Sequence, residues 1–250
     1  MRVLDLDLDF FQQVALHNVQ GDRRPTEREV VPWAAKSVSA FLERQCGLSL
    51  SCTIPGHRVS THDEVFDLWK RQIHATEIEA PFDVVHIDAH ADLGLGDASW
   101  VYITTELVNL DQAGRENPKR GGRDGLSEGN YLAFAVACRW LRTLTYVYHA
   151  GVPGGAPNDL HPCLFRNHDT SVGFLELPRY AADSRANVTM DTHPLSYEPA
   201  VPLTVVPGDI FETREAFDSA YLSTSPRFTS VATEQLIGVV AEYVDFGYEG

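Results

Sequence analysis

The sequence predicts an α/β fold with a mainly parallel central sheet, and three observations carry that expectation. Short apolar, β-rich runs alternate with stretches of helical periodicity along the chain. The segment His86-Ile87-Asp88-Ala89-His90-Ala91-Asp92 follows directly on the apolar run Phe82-Asp83-Val84-Val85, and ligand-binding groups gather at the carboxyl ends of parallel strands. With 250 residues, 44% of them hydrophobic and 22% charged, the chain can bury one sizeable core, so a single domain spanning 1–250 is expected.

Element by element, strands are predicted over Val3–Phe10, Val84–Asp88, Leu144–Tyr148, Val172–Leu175 and Val201–Val206. Helices are predicted over Glu29–Gln45, Asp63–Ala75, Tyr131–Leu141, Arg214–Leu222 and Thr233–Val244. The second helix carries Val65, Leu68 and Ile73 at roughly helical spacing, and the last carries Leu236, Val239 and Val240. Three connections exceed simple turns: Asp111–Gly129, Ala150–Pro162 and Ala181–Ala200. Long loops in compact domains are usually functional, so the first two are expected to wall a substrate cleft. No internal repeat, coiled coil or low-complexity tract is present.

The balance of 35 acidic to 20 basic residues, a net charge of −15, argues against nucleic acid or an anionic membrane as partner and suits a cationic one. The four cysteines, Cys46, Cys52, Cys138 and Cys163, show no CxxC pairing and read as reduced thiols. No apolar run is long enough to cross a membrane. A strand expected from the first residues leaves no room for a leader peptide, so a cytoplasmic protein is the expectation.

The chemistry sits in alternating polar residues. In an extended strand, alternate side chains share a face, so His86, Asp88 and His90 project together with Asp92 just beyond. Leu4-Asp5-Leu6-Asp7-Leu8-Asp9-Phe10-Phe11 reads likewise as leucines on one face and Asp5, Asp7 and Asp9 on the other. An edge strand with solvated aspartates would explain one such cluster. Two acidic strand ends in one sheet point to cations, because buried charge must be paired or coordinate a metal. A third element, Ser60-Thr61-His62-Asp63-Glu64-Val65, places His62 at a loop-to-helix junction, where a lone histidine is ordinarily a cap. Together Asp7, Asp9, His62, Asp88, His90 and Asp92 form an oxygen-rich mixed set suited to Mn²⁺, with Zn²⁺, Fe²⁺ or Co²⁺ as substitutes. Their number suits two ions bridged by shared carboxylates.

These motifs resemble those of the ureohydrolase family, the arginases and agmatinases. Asp88-Ala89-His90-Ala91-Asp92 matches its Asp-Ala-His-x-Asp motif in every fixed position, Asp7-Leu8-Asp9 resembles its Asp-x-Asp motif, and His62 resembles the histidine of its Gly-Gly-Asp-His segment without the glycines. A closer likeness is to a divergent branch, the peptide arginases, which convert arginine residues of ribosomal precursor peptides to ornithine. It rests on Leu6–Phe11, His62–Val65, His86–His90 and Ser223-Thr224-Ser225-Pro226-Arg227-Phe228-Thr229. The resemblance implies a three-layer α/β/α arginase-like fold and two Mn²⁺ ions per subunit. It implies that Asp88 and Asp7 bridge both ions, that His62 and Asp92 complete one, and that His90 and Asp9 complete the other.

Two features depart from the family. The Asp-x-Asp strand opens this chain, whereas in standard arginases it follows the Asp-Ala-His-x-Asp strand, which leaves the choice among Asp5, Asp7 and Asp9 open. The Ser-Gly-Asn-x-His-Gly stretch of free-arginine enzymes is replaced by Ser127-Glu128-Gly129-Asn130-Tyr131-Leu132: Asn130 is kept and Leu132 stands where the proton-shuttling histidine would be. Loss of that pattern fits a substrate whose α-carboxylate is part of a peptide bond. His86 is the first candidate shuttle, with His149 and His168 behind it; its other role is to orient Asp88. Asn130, Glu128 and Glu64 are candidate substrate contacts, and Glu64, Glu128 and Glu212 are candidate partners for a guanidinium.

The function so implied is hydrolysis of guanidinium groups by a cytoplasmic, two-manganese enzyme, with Asp92 orienting the attacking water and an arginine-containing precursor peptide as partner. Two rivals follow from the same residues. One is a single-Zn²⁺ deacylase on the same fold; the other is a catalytically silent, metal-stabilised peptide-binding protein.

Overall fold

The computed structural model describes residues 1–16, 23–151 and 159–247. Its centre is an eight-stranded sheet in the order β10-β2-β9-β1-β3-β4-β8-β5. The strands are β1 (Arg2–Asp7), β2 (Ile54–Val59), β3 (Phe82–Asp88), β4 (Leu141–Tyr148), β5 (Phe174–Leu175), β8 (Val201–Pro207), β9 (Ser219–Ser223) and β10 (Val244–Asp245). All neighbouring pairs are parallel except β5 on β8 at one edge. A small antiparallel pair, β6 (Pro178–Arg179) and β7 (Ser196–Tyr197), lies apart from it.

Helices cover both faces. On one side α1 (Ala35–Arg44) and α6 (Gln235–Val240) pack Val38, Phe41, Leu42, Leu236 and Val240 against Leu4, Leu6, Val85, Ile87, Val147 and Leu222. On the other, α2 (His62–His74), α3 (Ser99–Thr105) and α5 (Tyr131–Ala137) pack Val65, Phe66, Trp69, Ile103 and Phe134 against Val3, Val84, Leu144, Tyr146 and Tyr221. The architecture is therefore three-layer α/β/α with a mainly parallel sheet, as the alternating pattern predicts. The short α4 (Gln112–Arg115) lies within the connection 111–129. Among the described residues, no helix is long and apolar enough to cross a membrane.

The alternation of β1 is realised as expected: Leu4 and Leu6 enter the α1/α6 core, while Val3 joins the other face and Asp5 and Asp7 share its side of the strand. The strand stops sooner than expected. It ends at Asp7, and Leu8–Phe11 form a 3₁₀ turn rather than a continuation to Phe10.

Other boundaries and types differ for physical reasons. The segment expected as a helix over Arg214–Leu222 ends instead in β9, whose residues are all buried between β1 and β2. A strand buried on both faces loses the alternation that marks strands, and a short apolar run is then ambiguous. β2 carries no strand pattern in the sequence, because Pro55 and Gly56 interrupt it. Gly56 is required there: a Cβ would stand 2.7 Å from the Ala220 carbonyl oxygen and 2.3 Å from Val244 Cγ1. The expected first helix begins only at Ala35, and the last breaks into a 3₁₀ turn, α6 and β10. α5 stops at Ala137, and β4 starts at Leu141, earlier than expected. α3 was hidden in the region after Asp92.

The order of connections positions the site. From β1 the chain crosses leftward in the sheet order to β2, whereas β3 lies on the right of β1 and leads on to β4. The crossovers thus diverge between β1 and β3, and the crevice at the carboxyl ends of two such strands is where α/β sheets bind ligands.

Candidate metal centre

Eight side chains converge at that crevice: Asp5, Asp7, Asp9, His62, His86, Asp88, His90 and Asp92. All the residues the sequence nominated as metal ligands are among them. Asp7 and Asp88 end adjacent strands, and each turns the chain in the same way. Asp7 Oδ1 accepts the Asp9 N–H at 2.8 Å, and Asp88 Oδ1 accepts the His90 N–H at 2.8 Å. An aspartate that bonds the backbone two residues on makes a local turn. That turn returns Asp9 and His90 to the site after the strands have ended. The i, i+2 spacing read as strand alternation is thus realised at its last step by side-chain turns.

His62 arrives from a third element as the first residue of α2. The helix start is held by Glu64, whose Oε2 accepts the Ser60 N–H at 3.1 Å, and Asp63 and Glu64 lie in the first turn, where the helix dipole favours acids. Asp92 has φ of 49°, a left-handed conformation that turns the chain at the end of the motif.

The donors divide into two groups. His62 Nδ1 lies 3.0 Å from Asp92 Oδ2, 3.1 Å from Asp88 Oδ2 and 3.2 Å from Asp7 Oδ2. His90 Nδ1 lies 3.0 Å from Asp9 Oδ2 and 3.5 Å from Asp88 Oδ1. Asp88 therefore gives one oxygen to each group. Metal–donor bonds of about 2.1 Å put neighbouring donors about 3.0–3.4 Å apart on an octahedral or tetrahedral shell; the His62 spacings and that of His90 to Asp9 fall in this range, and that of His90 to Asp88 lies just above it. Asp9 Oδ2 and Asp92 Oδ2 are buried and make no well-formed hydrogen bond although His90 Nδ1 and His62 Nδ1 stand 3.0 Å away, an arrangement that a cation shared by each pair would satisfy. Four carboxylates with two imidazoles and no thiolate suit a hard or borderline divalent ion. The residues present fit such an ion.

Burial and crowding shift the protonation of these groups. Burial pushes Asp7 and Asp9 up, and neighbouring carboxylates add to it. Burial and the Asp88 charge raise Asp92 to about 6. Asp88 goes the other way: burial opposes its ionisation, but hydrogen bonds from His62 and His90 hold it well below the usual carboxylate range. Burial works against charge on His62 and His90 too, and the surrounding aspartates more than reverse it.

His86 stands beneath this set, fully buried at 0% exposure. Its Nδ1 is 2.8 Å from Asp5 Oδ2 and its Nε2 is 3.1 Å from the His90 carbonyl oxygen. Both ring nitrogens thus face acceptors and are committed to orienting contacts. His149 lies against Phe10 and Trp33, donating to the Gln12 carbonyl at 2.7 Å, and His168 lies 2.6 Å from the Met190 carbonyl oxygen. Neither belongs to the eight-residue cluster.

No family model matches the chain, and no curated protein or solved structure matches it either. The site must be read from its own chemistry.

Of the candidate substrate contacts, Asn130 is 1% exposed and spent on its own loop. It accepts the Ser127 N–H and donates to Asp97 and the Gly125 carbonyl. Glu64 lines a surface cleft with His57, Arg58, Asp67 and Arg71, none of them in the cluster. Glu212 is exposed beside Arg214. Glu128 already holds a guanidinium, that of Arg227, at 2.7 Å. Arg227 precedes Phe228, whose ring lies 4.7 Å from that of His90.

Four residues in contact with the cluster had no assigned role in the sequence. Ser225 donates a hydrogen bond to Asp7 Oδ2 from a left-handed backbone position, φ 41°. Phe228 covers His90. Asp159 accepts the Ala91 N–H at 2.7 Å, between His90 and Asp92. Tyr131 stacks on His62 and donates to Asp5. Ser225 and Phe228 lie in one noted stretch and Tyr131 in another, but nothing in either marked the residue that reaches the site. Asp159 comes from the long connection 150–162; residues 152–158 of that expected wall lie outside the described residues.

Proposed function

We propose that this chain is a two-metal hydrolase of guanidinium groups that converts arginine residues in a peptide to ornithine, releasing urea. The observation that carries this reading is Asp88, which shares its two carboxylate oxygens between a His62/Asp92 group and a His90/Asp9 group. A single-ion site has no use for that division; a pair of ions bridged by one carboxylate does. Bound Mn²⁺ supplies Lewis acidity and makes hydroxide accessible from water near neutral pH.

The chain's own residues supply the rest. Asp92, besides facing the His62 group through Oδ2, accepts a hydrogen bond from the attacking water and aims it at the guanidinium carbon. Addition of water and loss of the side-chain nitrogen as an amine balance as ornithine plus urea. His86, committed at both ring nitrogens, acts as an orienting residue in this scheme rather than as a proton shuttle. A chain of net charge −15 attracts a basic peptide. Glu128 already carries a guanidinium, that of Arg227, and takes a substrate arginine only by exchanging it.

The test is incubation of Mn²⁺-loaded protein with arginine-bearing peptides, read by mass: each conversion removes about 42 Da, the difference between arginine and ornithine on hydrolysis. Free urea in step with the mass loss supports the reading. A protein that binds about one Zn²⁺ and cleaves acylated amines instead, or one that takes up metal and leaves every peptide intact, overturns it.

A further inference from the structure

Asp5 lies at the base of the cluster, within reach of His62 and His86, and its surroundings define a different task. Its Oδ2 takes two hydrogen bonds, one with His86 Nδ1 at 2.8 Å and one from the Tyr131 hydroxyl. Its Oδ1 faces His62 Nε2 at 3.6 Å. At 3.6 Å the two are in ion-pair range rather than hydrogen-bonded; both atoms are buried, and neither has a hydrogen-bond partner. Tyr131 also lies flat on the His62 ring, with centroids 5.1 Å apart and planes 16° from parallel. His62 is thus bounded on one side by Tyr131 and on its Nε2 edge by Asp5, while Nδ1 points at Asp7, Asp88 and Asp92.

The other imidazole of the set also meets an acceptor at Nε2, at hydrogen-bond distance. His90 turns Nδ1 toward Asp9 and Asp88, and its Nε2 is 2.9 Å from the Leu16 carbonyl oxygen. A neutral imidazole carries one N–H, so an acceptor at Nε2 fixes the proton there and leaves the Nδ1 lone pair for an ion. Carboxylate or carbonyl partners of this kind orient the ring and raise its basicity as a ligand.

We propose that Asp5 is a positioning residue and not a ligand: through Oδ1 it holds the proton of His62 on Nε2, and through Oδ2 it ties that ring to Tyr131 on α5 and His86 on β3. This rests on the two-metal reading above and assigns the third aspartate of the opening strand. Register explains how it comes about. Asp5 is directly paired with His86 across β1 and β3, one alternation deeper in the sheet than Asp7, which is paired with Ser223 at the strand end. Asp5 therefore sits a layer below the ions' donors.

Titration of metal-free protein with Mn²⁺ and Zn²⁺, followed by calorimetry and by metal analysis, tests this on Asp5→Asn beside the native chain. The expected result is an unchanged number of ions bound with affinity lowered 10–100-fold, the range for losing such a partner. Loss of one whole equivalent identifies Asp5 as a ligand and overturns the proposal, as does affinity within twofold of native. Should Asp5→Asn fail to fold, nitrogen-15 NMR of the native Zn²⁺-loaded chain decides. A His62 proton on Nε2 with Nδ1 metal-bound supports the assignment; metal on Nε2 refutes it. A native chain that binds these ions but yields no urea refutes the proposed function alone. One that binds neither ion refutes both.

Discussion

Asp159 Oδ2 accepts the backbone N–H of Ala91 at 2.7 Å, and this bond pins the turn between two proposed ligands, His90 and Asp92. The same oxygen lies 3.2 Å from the Tyr146 hydroxyl on β4. Asp159→Ala leaves the Ala91 N–H without its partner. The expected cost is about 1–3 kcal/mol of stability, with metal affinity down about 10–100-fold. Thermal unfolding with and without Mn²⁺ checks this: the metal-induced rise in Tm should shrink more than the metal-free Tm falls. Equal shifts in both would mean that Asp159 serves the fold only.

Asp88 and Asp92 separate under substitution. Asp88→Asn is expected to abolish urea release and to weaken both ions, since each group takes one oxygen of Asp88. Asp92→Asn removes an oxygen that faces His62 and, further off, His86, but not His90, and should spare the His90 group. Ion counts on the purified variants distinguish them. If Asp88→Asn retained both ions at native affinity, the shared carboxylate would not be a bridge.

Metal binding should be strongly pH-dependent. Asp92 is raised to about 6 from an ordinary 3.8, first by burial and then by Asp88. A carboxyl whose folded pKa is raised favours folding while protonated, at pH below the unfolded value, and loses that contribution as pH rises through the folded value. The metal-free chain is thus penalised by this group above about pH 6, where the ionised form is the one a cation needs. The Tm gain on adding Mn²⁺ should therefore grow between pH 4 and 6 and level off above. A gain independent of pH over that window would exclude Asp92 from the binding step.

Glu198 governs acid stability away from the site. Burial pushes it up, but hydrogen bonds from Arg115, Arg139 and Arg179 outweigh this and hold it at about 2 against an ordinary 4.5. Its depressed value means that its stabilisation is complete above about pH 4.5 and is lost as pH falls toward 2. Arg115, only 4% exposed and bonded to Glu198 at 2.8 Å, is left as an uncompensated buried charge by Glu198→Gln. The expected loss is about 3–5 kcal/mol at neutral pH, measured by denaturant unfolding, and the variant's stability should be flatter between pH 5 and 3 than the native chain's.

At Gly56, substitution by Ala puts a Cβ 2.7 Å from the Ala220 carbonyl oxygen between β2 and β9. Backbone on a central strand cannot yield cheaply, so a loss of about 1–3 kcal/mol is expected. Native stability in Gly56→Ala would show that the two strands can separate locally.

Much of this was legible in the sequence because it depends on local spacing. Alternation placed Leu4 and Leu6 opposite Asp5 and Asp7, and the alternate residues from His86 to Asp92 announced a ligand set. Where burial was two-sided, the pattern vanished: Ala220-Tyr221-Leu222 carries no period that separates a central strand from a helix. Glu64 and Asn130 looked available as substrate contacts because their engagements, with the Ser60 N–H and with Asp97, Ser127 and Gly125, are set by loop geometry.

The sequence by itself determined the composition of the site: which carboxylates and imidazoles, on which strands, at which spacing, and from that an α/β scaffold with acidic strand ends. Only the tertiary structure decided how they are shared. Parallel pairing of β1 with β3 sets Asp5 beside His86 and leaves Asp7 at the rim, and the aspartate turns at Asp7 and Asp88 bring Asp9 and His90 back into the crevice. Roles within the cluster follow from depth and from which neighbour faces each oxygen. These are relations between residues as far as 218 positions apart, as Asp7 and Ser225 are, and no local spacing encodes them.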